Sequence, residues 1–244
     1  METPTLIQKL FSAGAHYGLT SSRRHPSAKE YLFGTKGGVE LFDLEKTSTL
    51  FADALAFVAS LAAQRKVILF VGGKAEARDA LKRVAQSLGA PYVAGRWIGG
   101  TLTNWSEIRK RLARLEDITQ SVQTGELAKF TKRERLLIDR EMADLDLMFG
   151  GLRGLTKLPD ALVVVDPRAE RGSIQEARQL GIPTVALLNS DCDAADIAYP
   201  IPGNDASRET IAFVLGEISS TYSGNLGAVP TPAASPEQAA PEAQ

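Results

Sequence analysis

Val67 to Lys74 reads VILFVGGK, an unbroken apolar run closed by two glycines and a lysine. Five large apolar residues without alternation suit a strand covered on both faces, and the glycines mark where it stops. Two runs of the same kind lie downstream, Ala161 to Val165 (ALVVV) and Thr184 to Leu188 (TVALL). Helical stretches separate them. Ala75 to Leu88 follows the first run, and a helix capped by Ser173, running to Leu180 and closed by Gly181, joins the second to the third. Tyr199 to Ile201 reads as a short edge strand, because Pro200 and Pro202 cannot donate to a central ladder. From Asp205 a last helix is expected over Ala206 to Ser219, turning Ile211, Val214, Leu215 and Ile218 inward. Strands alternating with helices predict an α/β fold: a parallel sheet with helices on both faces.

Upstream, Leu6 to Gly18 has helical spacing at Leu6, Leu10 and Phe11 and ends in glycines. Leu19 to Glu30 is polar and is expected to form an irregular loop carrying Arg23 and Arg24, two adjacent cations able to grip phosphates or to stand in solvent. Tyr31 to Leu44 alternates around Gly37 and Gly38 and predicts strand, tight turn, strand. Leu50, Ala54, Phe57, Val58 and Leu61 then form the inner stripe of a helix.

The 244 residues, 44% hydrophobic and 23% charged, are enough for one α/β domain with a buried core. No apolar run is read as bilayer-spanning and no signal-like leader opens the chain, so a cytosolic protein is expected, without membrane partners. Cys192 is the single cysteine and excludes an internal disulfide. Residues 223–244 are rich in Pro and Ala, lack Lys and Arg, and are expected to be disordered.

Motifs for catalysis fail one by one. Gly72-Gly73-Lys74 has neither the P-loop nor the dinucleotide spacing, and no nucleophile elbow or Glu/His metal pair is present. Asp166, Asn189, Asp191 and Asp193 stand at strand carboxyl ends, where α/β sheets bind ligands; they read as Asx turns or, alternatively, as a cation site. With only His16 and His25, no zinc site is expected, and no cofactor is assigned.

The remaining chemistry lies in Gly95 to Arg114, GRWIGGTLTNWSEIRKRLAR. It holds both tryptophans, Trp97 and Trp105, and leads into a helix with Trp105, Ile108, Leu112, Leu115 and Val122 on one stripe and Arg109, Lys110, Arg111 and Arg114 between them. Asn104 with Glu107 is expected to cap it. A second helix opens at the capping box Thr131-Lys132-Arg133-Glu134 and repeats Ile138, Met142, Leu145 and Phe149, so the pair is expected to fold back as an antiparallel hairpin. From Arg96 to Arg140, 10 Lys and Arg face 6 Asp and Glu, a local +4 in a chain of net −1, which leaves −5 elsewhere. A cationic arm on an acidic body suits a polyanion; a solvated face of mixed charge has the same composition.

GRWIGGTLTNW followed by a basic helix resembles the signature of the small-subunit ribosomal protein S-two family, bacterial type. Further strings match at SAGAHYG, YLFGTKGGVELFDLEKT, KVILFVGGK, LPDALVVVD, EARQLGIPTVALLN and IPGNDASRETI, so the likeness spans about Leu6 to Ser220. It implies a flavodoxin-like sheet in residues 1–222, with a coiled-coil hairpin inserted at about 104–149. It also implies a structural, non-catalytic role in the small ribosomal subunit. The implied partners are small-subunit ribosomal RNA, neighbouring small-subunit proteins and the large multi-OB-fold protein that helps capture messenger RNA. Carried over by position, the RNA-facing residues are Arg96, Trp97, Thr103, Asn104 and Trp105, with Arg109, Lys110 and Arg111 on the hairpin; Arg23 and Arg24 join them as phosphate-gripping candidates. Of the two tryptophans, Trp105 is the one expected to be wedged between hairpin and sheet. The match departs at His16-Tyr17-Gly18-Leu19 and Arg23-Arg24-His25-Pro26, where bacterial members often read HFGH and RRWNP. Two other classes stay open on the residues alone: an enzyme or sensor binding a phosphorylated small molecule near Gly72, Asp166 and Asp191, and a protein-only adaptor.

Overall fold

The computed structural model describes residues 5–227. Chain order is α1 (Leu6–Ser12), β1 (Tyr17–Thr20), β2 (Leu32–Lys36), β3 (Val39–Phe42), α2 (Leu44–Ala63), β4 (Ile68–Val71), α3 (Ala75–Leu88), β5 (Tyr92–Val93), α4 (Trp105–Gln123), α5 (Lys132–Phe149), β6 (Ala161–Val165), α6 (Arg171–Gln179), β7 (Thr184–Leu188), β8 (Tyr199–Pro202) and α7 (Arg208–Gly224). Five strands form a parallel sheet in the order β5-β4-β6-β7-β8. The fold is therefore α/β, with the three apolar runs as adjacent central strands and the proline-flanked strand at an edge.

Period-two alternation divides each central strand between two cores. Ile68, Phe70, Val163, Val165, Val185 and Leu187 point into one, with Phe51, Ala54 and Val58 of α2, Leu81 of α3 and Ile211, Val214 and Leu215 of α7. Leu69, Val71, Leu162, Val164, Ala186 and Leu188 point into the other, with residues of α4, α5 and α6. Both faces being covered is the physical reason why these strands carry no polar alternation.

A second, antiparallel sheet has the order β1-β3-β2. Gly37 (φ 62°) and Gly38 (φ 81°) both take the left-handed backbone that the β2–β3 turn requires, so the Gly-Gly pair there is a conformational need. Strand β1 and two short 3-10 turns, Ser21–Arg23 and Pro26–Tyr31, replace the irregular loop expected from Leu19. Without large apolar alternation, nothing local in Tyr17–Thr20 marks a strand; pairing with β3 makes it one. Strand β5, only two residues long, was likewise unmarked.

Helix ends differ in detail from their sequence patterns. Thr131 and Glu134 form the capping box at α5. Asn104 occupies the N-cap position of α4 but its side chain caps nothing: its Oδ1 accepts from Ser106 Oγ (3.4 Å), and Glu107 pairs with Lys110. Ser173 is buried inside α6, donating to the Glu170 carbonyl, and α7 is capped by Ser207, not Asp205. On α4, Ile118 is buried and Val122 is exposed, so the inner stripe turns at Leu115 through the three-residue step. Helix α2, 20 residues long, is by length and composition apolar enough to cross a bilayer, contrary to the reading of the sequence. Its inner stripe of Thr47, Phe51, Ala54, Val58 and Leu61 is the wall of the first core, the place of a helix that covers a sheet with one face buried. The Pro/Ala-rich segment lies outside the described residues from 228 on; α7 itself runs to Gly224.

Candidate nucleic-acid interface

A buried carboxylate organises the segment between β5 and α4. Glu176 of α6, 9% exposed, takes Trp97 Nε1 (2.9 Å) and the Gly100 amide (2.8 Å) on Oε1. On Oε2 it takes the amides of Leu102 (2.9 Å) and Thr103 (3.1 Å) and the Thr103 hydroxyl (3.2 Å). Successive backbone amides curled around one anion make a nest, here closed on the protein's own side chain. Burial pushes the Glu176 carboxyl pKa up, but the indole and the three amides outweigh it and hold the group below the ordinary glutamate range. Gly100 supports the curl with φ 88°, and Gly172 leaves room for the indole, since a Cβ there would lie 3.2 Å from Trp97 Cδ1.

This arrangement separates the candidate residues. Trp97, expected to face RNA, is 9% exposed with its only polar group bound to Glu176, so it is a core residue of the second cluster. The wedge expected of Trp105 belongs mainly to Trp97; Trp105 is partly buried against the same cluster. Thr103 is exposed but both its donors go to Glu176. Arg96, Asn104, Arg109, Lys110 and Arg111 are exposed.

At 100° per residue, Arg109 and Arg111 flank the buried stripe of α4 on opposite sides and Lys110 opposes it. Lys110 pairs with Glu107 (2.6 Å), while Arg114 binds Glu141 of α5 through Nε and an Nη, both at 2.9 Å, so the neighbouring helix already claims the α5-facing side. Arg109 and Arg111 form no ion pair among the described residues.

Arg23 and Arg24 lie elsewhere. Arg24 reaches Glu40 of β3, whose side chain is 1% exposed, at 3.4 Å, and the following His25 amide donates to the Ser190 carbonyl after β7 (2.8 Å). Among the described residues, no hydrogen bond or ion pair joins this turn to the Trp97 segment. Arg23 is exposed and forms no ion pair among the described residues; Arg24 offers only what its pairing with buried Glu40 leaves.

At the strand carboxyl ends, Lys74 Nζ bridges Asp166 and Asp205, both at 3.2 Å, and Asp205 also accepts from Asn189 Nδ2 (2.7 Å). Partial burial lowers the pKa of Lys74, but the two carboxylates more than restore it, so it stays charged. The glycine-glycine-lysine sequence therefore inserts a cation between acids, leaving carboxylates where the small-molecule reading needs phosphate donors. Asp191 pairs with Arg168, and Asp193 Oδ1 accepts from the Ala195 amide as an Asx turn. Asp166, Cys192 and Asp205 do converge, but Lys74 occupies the place of a cation.

Sequence reasoning missed Glu176 and weighed Lys74 only as part of a phosphate-binding motif whose spacing fails. The sole local signal for Glu176 was its position on the inner stripe of α6, three residues after Ser173 and next to Ala177.

The family model described as Ribosomal protein S2 matches residues 10–224. The small ribosomal subunit protein uS2 of Acidobacterium capsulatum is 39% identical over 213 residues, covering 87% of this chain and 71% of the relative. That of Helicobacter hepaticus is 40% identical over 213 residues (87% and 81%), and that of Geotalea uraniireducens 38% (87% and 83%). A match over nearly the whole α/β body, through signature segment and both helices, places this chain in the ribosomal protein S2 family.

Proposed function

We propose that this protein is a structural constituent of the small ribosomal subunit and supports translation by binding ribosomal RNA, without catalysing a reaction. Family membership supports the class, and one observation supports the surface: the Glu176 nest holds the signature segment rigid while Arg96, Arg109, Lys110 and Arg111 stay at the surface. The nest's amides are occupied, so RNA is gripped by side chains, chiefly through phosphates, with Asn104 and the exposed edge of Trp105 beside them and Arg23 and Arg24 as a separate contact. Trp97 and Thr103 act by positioning.

In this reading residues 1–222 form a flavodoxin-like body and residues 104–149 an inserted antiparallel coiled-coil hairpin, α4 seated on α5 through Ile108, Leu112, Leu115, Leu145 and Phe149. The partners are small-subunit ribosomal RNA and adjoining small-subunit proteins, among them the multi-OB-fold protein, on cytoplasmic ribosomes. Replacing Arg109, Lys110 and Arg111 together by Glu is expected to remove the protein from small subunits in sucrose gradients while the sheet stays folded. Wild-type occupancy by that variant would refute the assignment of the arm.

A further inference from the structure

A cavity of about 690 Å³ opens between α3, β5, the start of the signature segment and the end of α5. Its rim is cationic. Arg78 and Lys82 project into it from α3, one helical turn and ~6 Å apart along the axis. Arg96 enters from the signature segment and Arg153 from beyond α5. The single carboxylate on the rim, Asp146, is bound to Arg153 at 2.7 Å. Arg78 donates its Nε to the Ala94 carbonyl (3.1 Å), which aims the rest of the guanidinium, and Arg78, Lys82 and Arg96 form no ion pair among the described residues. Two apolar side chains also line it, Leu147, which is 81% exposed, and Ile98. The floor is closed by Gly151, where any Cβ would collide with the Tyr92 carbonyl and ring.

We infer that this cleft is a further RNA site, holding a single-stranded segment of RNA with two neighbouring phosphates on Arg78 and Lys82 and an unpaired base against Leu147 and Ile98. Three unpaired cations and one neutralised acid suit a polyanion, in a chain whose net charge is −1. The turn-to-turn spacing on α3 matches neighbouring phosphates of an extended strand, and the two apolar side chains take the face of a base that a duplex would keep stacked. Arg96 is shared with the surface proposed above, so one strand can run from the arm into the cleft. The inference rests on the RNA-binding reading.

The test is titration of full-length protein with a fluorescent 12-nucleotide oligouridine across a series of salt concentrations. Each phosphate contact on a single strand contributes a log-log salt slope of about 0.7, worth about 5-fold in affinity at 0.1 M salt. Arg78→Gln with Lys82→Gln is expected to lower the slope by about 1.4 and affinity by about 25-fold; Lys82→Gln alone, a change at an exposed side chain, by about half that slope. An unchanged slope, with the arm variant R109E/K110E/R111E still weakened, would overturn the cleft alone. A wild-type protein that binds no RNA would overturn the cleft and the RNA-binding reading together. A photocrosslinker at Leu147 in assembled small subunits is expected to join RNA; capture of a protein there would overturn the inference in favour of a protein occupant.

Discussion

Glu176→Gln removes one charge and changes almost no volume, yet it should be among the costlier single substitutions in the protein. An amide can offer one oxygen to the five donors that now share two. If that oxygen serves Trp97 Nε1 and the Gly100 amide, the new NH₂ faces the amides of Leu102 and Thr103, donor against donor. The Leu102 amide is buried, and an unsatisfied buried donor costs about 1–3 kcal/mol. Exposed Thr103 can turn to water. The expected loss is therefore about 2–3 kcal/mol for Gln and about 4 kcal/mol for Ala, which abandons the Trp97 N–H as well. In a domain of this size Glu176→Gln should lower Tm by about 5–10 °C. Urea denaturation followed by tryptophan fluorescence reads this directly, because Trp97 is itself a partner. The pH profile adds a second check. The folded pKa of Glu176 is depressed, so its stabilisation is present above the ordinary glutamate range and is lost as pH falls through the folded value. The variant's deficit should shrink on acidification. A Gln variant within about 0.5 kcal/mol of wild type, with the same acid limb, would refute the idea that the carboxylate holds the loop.

Lys74→Met should cost about 3 kcal/mol at neutral pH by leaving Asp166 and buried Asp205 as facing carboxylates. Burial, then Asp166, already raises the Asp205 pKa, so the missing lysine raises it further and the deficit should shrink as pH falls through that folded value; a pH-independent deficit would argue against the bridge. Cys192, whose thiol burial pushes up to about 12, should resist iodoacetamide at pH 8 until urea unfolds the chain; rapid labelling of native protein would contradict its burial. Gly73→Ala sets a Cβ 2.7 Å from the Gly95 carbonyl and 2.8 Å from Glu170 Oε1, and should destabilise by about 2 kcal/mol in thermal melts; a neutral result would mean that β4 and the signature segment are not held in register there.

The sheet was legible because its chemistry is local. VILFV, ALVVV and TVALL each carry both cores within five residues, and in the smaller antiparallel sheet Gly-Gly at 37–38 names the β2–β3 turn. Illegible features depend on contacts made by distant residues. Nothing near Glu176 announces that four residues more than 70 positions upstream will turn their donors onto it. On α4 the heptad pointed at Val122, but the helix ends one residue later, at Gln123, and leaves Val122 uncovered, while Ile118 takes the step inward. Charge asymmetry located the cationic segment correctly in composition; it could not tell that Trp97 within it faces the core. Arg78 and Lys82 looked like ordinary outer residues of α3, and only the approach of β5 and the end of α5 gives them a common space.

The nest at Glu176 also bears on the thermodynamics of encounter. A loop with three glycines and no internal anchor would freeze only when its partner arrives, and association would carry the large heat-capacity change and slow docking of coupled folding. Here the curl is ordered around an internal anion before any external one approaches, so the ordering entropy belongs to folding and not to binding. Complex formation at this surface should accordingly be fast, steeply salt-dependent and nearly flat in heat capacity, the profile of two rigid charged surfaces meeting.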